Sequence, residues 1–249
     1  MKKLIFVPHN FVFPEILGNI ERVCEEKNFE LIKTDEASCI ENMLKNRASL
    51  ALLSPLGYGA GVKNADFRII PSFTAGFVGY SGRASLYFNQ GLSTIEAIGS
   101  ANSSDFLMKI GNILLSERYD IYLKLEQCKG DVDDILKSYS AALSYGNDET
   151  LNSMDITEDW FETFEIPLIA GTWVTRNEEE PDDVIELTNL FALDEIPEEI
   201  DINPNSEREG KILTRWNPEI KLAFEQNLEL LYYHKLIPEI PAVKVFGVD

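Results

Sequence analysis

The residues able to do acid–base, metal or phosphate chemistry are few and widely spaced. Only two histidines occur, His9 and His234, and no serine stands in a G-x-S-x-G setting, which argues against a Ser-His-Asp hydrolase. His234 falls late in an amphipathic stretch and reads as a helix-end or surface residue. Cys24, Cys39 and Cys128 form no C-x-x-C pair, so they supply neither zinc spacing nor a disulfide framework and read as buried thiols of a reducing compartment. Gly57-Tyr58-Gly59-Ala60-Gly61 follows a strand but matches neither G-x-G-x-x-G nor a lysine-bearing phosphate loop, and reads as a flexible turn. The acidic run from Glu178 to Asp183 lacks the D-x-D-x-D-G calcium loop. With Pro181 where a helix begins, it reads as a solvated first turn that suits the helix dipole. Asn102-Ser103-Ser104 is a glycosylation sequon that matters only in a secreted protein.

The elements that must position any site follow from periodicity. Lys3 to Val7, a helix from about Phe13 to Glu26, Phe29 to Lys33, a helix over Ala37 to Asn46 and Ser49 to Ser54 give a βαβαβ order, hence a parallel sheet covered by helices. From Phe67 to Phe88 the pattern is β-rich, with glycine turns expected at Gly76, Gly79 and Gly82. A second βα series then opens with strand Thr94 to Gly99, a helix from near Ser103 to Ser116, strand Ile121 to Leu125, a short helix over Val132 to Lys137 and strand Tyr139 to Tyr145. The simplest outcome is a second parallel sheet. Thr157 is a candidate N-cap for a helix carrying Trp160, and Pro167 to Thr175 is a strand long enough to return to the first lobe. Asn217-Pro218-Glu219 is a cap, a proline at the first helical position and an acidic first turn, opening a last helix with Ile220, Phe224, Leu228 and Leu231 on one face.

Length and charge bound the rest. A chain of 249 residues with 45% hydrophobic content forms one large domain or two lobes. The division expected is 1–88 with 175–249 as lobe I and 89–174 as lobe II. A formal charge of −20 excludes nucleic acid and anionic membrane as non-specific partners. It also disfavours a small anion unless local groups hold it. No run of about 18 apolar residues is present to span a bilayer. The opening Met1 to Pro8 is basic, but its apolar run is too short for a signal peptide and no small-residue cleavage site follows, which points to the cytoplasm.

Several segments, in order, resemble the menaquinone-biosynthesis family that contains chorismate dehydratase and dihydroxynaphthoate synthase. Ala51 to Tyr58 resembles its strand ending in a Ser/Pro turn before a tyrosine. Gly82 to Phe88 resembles G-x-x-x-S-V-x-L-F, with Ser85 at the serine. Ala97 to Ser104 resembles A-L-D-x-x-S-x-T-S at a helix N-terminus, and Ala141 to Asn147 resembles A-L-x-I-G-D. The most specific stretch is Asp155-Ile156-Thr157-Glu158-Asp159-Trp160, then Ile166-Pro167-Leu168, Ala170 and Trp173-Val174, which follows D-L-G-x-x-W…L-P-F…A-x-W-V.

This resemblance implies an α/β, two-lobed type II periplasmic-binding-protein-like fold, with mixed sheets covered by helices and a ligand cleft between the lobes. Ser54, and the turn of Asn102, Ser103 and Ser104 feeding a helix, would then aim hydroxyls and backbone N–H groups at a carboxylate. Ser103 and Ser104 serve equally as plain helix caps, and Tyr145-Gly146-Asn147 as a plain strand exit. The dehydratase's functional groups are an asparagine on the first strand-to-helix turn and the serine matching Ser85. Asn10 is the nearest candidate for the first, although four steps separate it from Pro14 where the family writes Asn-x-x-Pro. Asn147 replaces the family's aspartate, removing an acid or base, and Gly146 stands where the sister synthase has histidine.

Two functions are therefore in play: a chorismate dehydratase-like lyase of the futalosine route to menaquinone, needing neither metal nor cofactor, or a non-catalytic carboxylate-binding protein or solute receptor of the same fold. In the first, Ser85 and Asn10 would be catalytic, and Ser54, Asn102, Ser103, Ser104, Tyr145, Gly146 and Asn147 would hold a small anionic or polar organic ligand. A homodimer is compatible with either.

Overall fold

The computed structural model describes residues 3–89, 91, 94–148, 151–176, 181–192, 196–204 and 206–248. The start of the acidic run, at 178–180, lies outside them. Contacts divide the chain into two units, one of 1–76, 168–200 and 212–249, the other of 77–167 and 201–211.

In the first unit, β1 (Leu4–Pro8), β2 (Glu30–Thr34) and β3 (Leu50–Leu53) are parallel, with β1 in the middle. Two crossover helices join them, α1 (Ile20–Glu26) and α2 (Glu36–Leu44). The expected helix from Phe13 is instead a single 3-10 turn at Pro14–Ile16 followed by α1, because Gly18, at φ +51°, breaks it. Asp35 caps α2 by accepting the Ser38 amide at 2.8 Å. Further along come α3 (Pro55–Gly61), β4 (Phe67–Gly79), β10 (Leu168–Arg176), α7 (Pro181–Ala192), β11 (Glu199–Ile202), β12 (Gly210–Arg215) and α8 (Pro218–Tyr233). The sheet order is β11-β12-β4-β10-β3-β1-β2, and β10 runs antiparallel to β3. Every residue of β3 is buried, as a strand covered on both faces requires. Asn217 caps α8 as the sequence indicates, accepting the Ile220 amide at 2.9 Å, and His234 is its C-cap.

The glycine run at 57–61 is not a flexible turn but the body of α3. Ser54 caps it, Pro55 fixes its first φ, and the missing Cβ atoms let other side chains close in: a Cβ on Gly57 would stand 2.6 Å from Glu36 Oε1. Gly76 likewise makes no turn. It lies inside β4, where a Cβ would meet Ile169 and Ile220 at 3.1 Å.

The second unit holds β5 (Ala84–Phe88), β6 (Ile98–Ser100), α4 (Phe106–Tyr119), β7 (Leu125–Gln127), α5 (Val132–Leu136), β8 (Ala141–Tyr145), β9 (Asn152–Asp155) and α6 (Ile156–Phe164). Its sheet is mixed rather than parallel, in the order β7-β6-β8-β5-β9. β6 is parallel to β7 and β8, whereas β5 is antiparallel to β8 and β9. The chain enters β5 straight from the turn at Ser81–Arg83, so β5 slots between two strands running the other way. Residues 77–88 and 201–211, expected in lobe I, group with this unit, and residues 168–174, expected in lobe II, group with the first through β10. Cys24 and Cys39 are buried and Cys128 half-buried, all as free thiols; burial pushes the first two up to about 11 and about 12.

Candidate functional site

In the first unit Asn10 follows β1 and Ser54 follows β3. These strands are parallel neighbours, so both residues leave from the same carboxyl-terminal edge. Ser54 is already occupied. Its amide donates to Glu36 Oε1 at 2.6 Å, its hydroxyl to Oε2 at 3.0 Å, and the same oxygen accepts the Gly57 amide at 3.2 Å. The carboxylate expected from a ligand at this cap is supplied by the chain's own Glu36, and nothing in the spacing of positions 36 and 54 signals it.

The second unit gathers the greater share of the expected groups. Ser85 is fully buried in β5, across from Ser144 on β8 and Asp155 on β9. Its hydroxyl donates to the Gly146 carbonyl at 2.9 Å, and the Tyr87 hydroxyl, two residues along the same face, donates to that carbonyl at 3.0 Å. Tyr87 also accepts the Asp148 amide at 3.1 Å, and burial pushes its phenol up. Gly146 closes the arrangement by donating its amide to the Arg83 carbonyl at 2.8 Å, at φ +87°, where a side chain would be strained. Outward, no atom of the described residues lies within 4 Å of a Cβ built on the glycine.

The residues either side are braced as well. The Tyr145 hydroxyl donates to Asp105 Oδ2 at 2.9 Å. The Asn147 amide donates to the Tyr80 hydroxyl at 2.8 Å, and its carbonyl oxygen accepts the Ser153 hydroxyl at 3.3 Å. Tyr80 lies under the Arg208 guanidinium, 4.4 Å from its ring centre, and Arg208 in turn forks onto the Glu158 carboxylate.

Ser103 and Ser104 are not helix caps. α4 begins at Phe106 with Asp105 in the cap position, and the preceding turn is closed by the Asp105 amide on the Asn102 carbonyl at 2.9 Å. Asn102 donates its amide to Ser100 Oγ at 3.1 Å, the Ser103 hydroxyl donates to Gln127 Oε1 at 2.6 Å, and Ser104 is exposed beside Asp105. Asp105 links this turn to Tyr145, so Ser104 and the 145–147 turn are joined through a residue the sequence reading omits.

Asp155, not Thr157, caps α6. Its buried carboxylate accepts the amides of Thr157 and Glu158 at 3.0 Å each and of Gly82 and Ser81 at 2.8 and 3.3 Å, and the Thr157 hydroxyl lies 2.7 Å away. Burial raises its pKa, and these donors oppose the rise. The motif residue thereby pins the turn that launches β5, and with it Ser85. An open, acid-rimmed cavity of about 740 Å³ lies elsewhere in this unit, lined by Gly79, Glu158, Phe161, Glu207, Glu209 and Lys211 among others. It takes in none of the expected site residues. Among the described residues no cluster of three His, Cys, Asp or Glu side chains is poised for a metal, and no helix is long and apolar enough to cross a membrane.

No protein-family model matches the chain, and no curated protein matches its sequence. Solved structures do. Protein AF1704 from Archaeoglobus fulgidus aligns with a TM-score of 0.57 at 14% identity, over 95% of this chain and 98% of that one. An ABC transporter from Parabacteroides distasonis aligns at 0.57 and 13%, over 100% and 99%. The periplasmic aliphatic sulphonate binding protein SsuA from Escherichia coli aligns at 0.56 and 10%, over 100% and 94%. At such identities the likeness is one of fold: this chain has a periplasmic-binding-protein-like α/β fold.

Proposed function

We propose that the chain is a small-molecule-binding protein whose ligand, a polar organic acid, engages the turn Tyr145-Gly146-Asn147. The observation that carries this reading is the one-sided bracing of Gly146. Behind it, Ser85, Tyr87 and Arg83 satisfy the backbone; in front, no described residue crowds the glycine. A polar surface fixed in advance loses little entropy on binding, which is what a receptor for a compact ligand needs. Three free cysteines support a reducing compartment for it.

A chorismate dehydratase-like lyase is the second reading. It is favoured by the Asp155–Trp160 motif, whose aspartate holds the turn leading to Ser85. Against it, the Ser85 hydroxyl is spent on the Gly146 carbonyl, and the position that would offer a carboxylate is Asn147. The test is calorimetry and thermal shift with chorismate, 3-hydroxybenzoate and short-chain carboxylates, with mass spectrometry for loss of water. The receptor reading expects stabilisation without turnover, and affinity about tenfold weaker in Asn147→Ala, the worth of one good hydrogen bond (~1.4 kcal/mol). Product that vanishes in Ser85→Ala would replace it with the lyase, and no binding of any compound would remove both.

A further inference from the structure

Tyr80 is gripped by three successive residues, Arg208, Glu209 and Gly210, of the 201–211 segment that returns to the second unit after the chain has passed through the first. Its amide donates to the Glu209 carbonyl at 3.1 Å. Gly210 packs so closely on its backbone that a Cβ there would stand 1.9 Å from the Tyr80 carbonyl oxygen. The Arg208 guanidinium covers the ring, 4.4 Å from its centre, and Tyr80 is left 7% exposed.

Arg208 is itself anchored. Its Nε donates to Glu158 Oε1 at 3.2 Å and to Oε2 at 2.9 Å, and Nη2 donates to Oε2 as well. A planar guanidinium forked onto a carboxylate gives up most of its rotational freedom, and the attraction between cation and ring face passes that order on to the tyrosine. Glu158 in turn is fixed at the start of α6. Its amide donates to the buried Asp155 carboxylate, the same group that holds the Ser81 and Gly82 amides just beyond Tyr80. Ring and backbone of Tyr80 are thus tied to one helix end.

The tyrosine's hydroxyl accepts the Asn147 amide at 2.8 Å, while the Asn147 carbonyl oxygen accepts the Ser153 hydroxyl at 3.3 Å. The shorter contact sets the amide plane, and it is only as firm as the ring that supplies it. We propose that Arg208 is a positioning residue for the Tyr145-Gly146-Asn147 turn, acting through Tyr80, so that the Glu158–Arg208 fork governs from outside the turn how tightly it holds a ligand. The inference rests on the small-ligand reading above and adds the regulation of that site. An amide whose plane is set before binding loses less entropy when the ligand arrives, and loosening the fork returns that cost to the binding step.

The coupling is read first without ligand. The Nδ2–H resonance pair of Asn147, assigned by its loss in Asn147→Ala, should move in Arg208→Gln in the same direction as in Tyr80→Phe, which deletes the accepting hydroxyl. Arg208→Lys, which keeps the charge over the ring and loses the fork, should move it less. Affinity is then measured by calorimetry with the tightest binder among chorismate, 3-hydroxybenzoate and short-chain carboxylates. Arg208→Gln is expected to weaken it about fivefold in the wild-type background and to have no further effect in Tyr80→Phe, a dependence that general loss of stability would not produce. An unmoved resonance pair in Arg208→Gln, or the same loss of affinity in both backgrounds, overturns the assignment and leaves the small-ligand reading standing. Should Arg208→Gln fail to fold, Glu158→Gln, which loosens the fork and keeps the arginine, is read in its place with the same expectations. If no compound of the panel binds the wild-type protein, the small-ligand reading falls and with it the role assigned to Arg208.

Discussion

Asp155, the cap of α6, and Asp159, in its first turn, are both buried and differ in what surrounds them. Asp155 has backbone amides from two turns. Asp159 has the Arg118 guanidinium, yet burial outweighs that pairing, and with Glu162, Glu158 and Asp155 nearby it is pushed up to about 6. A folded-state pKa above the ordinary carboxylate value means the native state holds the proton more tightly. This group's contribution is therefore fully present below about pH 4 and is lost as pH rises to about 6, by ~2–3 kcal/mol. Urea unfolding of wild type and Asp159→Asn between pH 4 and 7 should show wild type losing stability relative to the variant across that window and then levelling off; a pH-independent gap would refute it. The sequence displayed both aspartates in one motif, and their types sufficed to mark the stretch. Their roles were illegible, because the partners that define them, Gly82 and Arg118, lie 73 and 41 residues away. The same distance in sequence hid the commitment of Ser85 to Gly146, although both residues were singled out.

At the level of elements, local signals were read well where a cap and a proline agreed and poorly where glycines dominated. Asn217-Pro218 opened α8 as expected; Ser54-Pro55 carried the same signal, and the glycines after it obscured the helix. Those glycines are there for close packing. A Cβ on Gly61 would overlap the Phe67 ring, which is itself fully buried. Gly61→Ala should accordingly destabilise the protein by about 1–3 kcal/mol despite the better helix propensity of alanine, through overpacking. Chemical denaturation measures it, and a neutral or stabilising result would mean that the Phe67 ring moves aside freely. Strand direction in the second sheet was beyond local reading for a related reason: apolar runs identify strands, while the antiparallel insertion of β5 is set by pairing with β8 and β9.

At the level of the molecule, the excess of acidic side chains is distributed over a fold in which half of the ion pairs among the described residues are exposed. Such pairs contribute little each, so net self-repulsion should be visible in bulk stability. Raising NaCl from 10 to 200 mM is expected to lift the melting temperature by about 2–5 °C as screening shortens its range. A fall over that interval would show that attractive pairs outweigh the repulsion. Composition made this charge legible at once, and the βαβαβ opening made the first three strands legible. The sheet order was not, since β10 lies between β3 and β4 although more than a hundred residues separate it from β3 in the chain. That interleaving dictates a sequence of events at the ribosome. All five strands of the second unit emerge by residue 155, so its sheet can assemble while synthesis is still under way. The first unit must meanwhile keep β3 and β4 unjoined, each with a bare hydrogen-bonding edge, until residues 168–176 arrive to fill the slot. A nascent chain stalled before that point presents one open edge on β3 and both edges of β4, whose other neighbour β12 emerges later still, the form in which this protein is most exposed to misassembly and most in need of a chaperone.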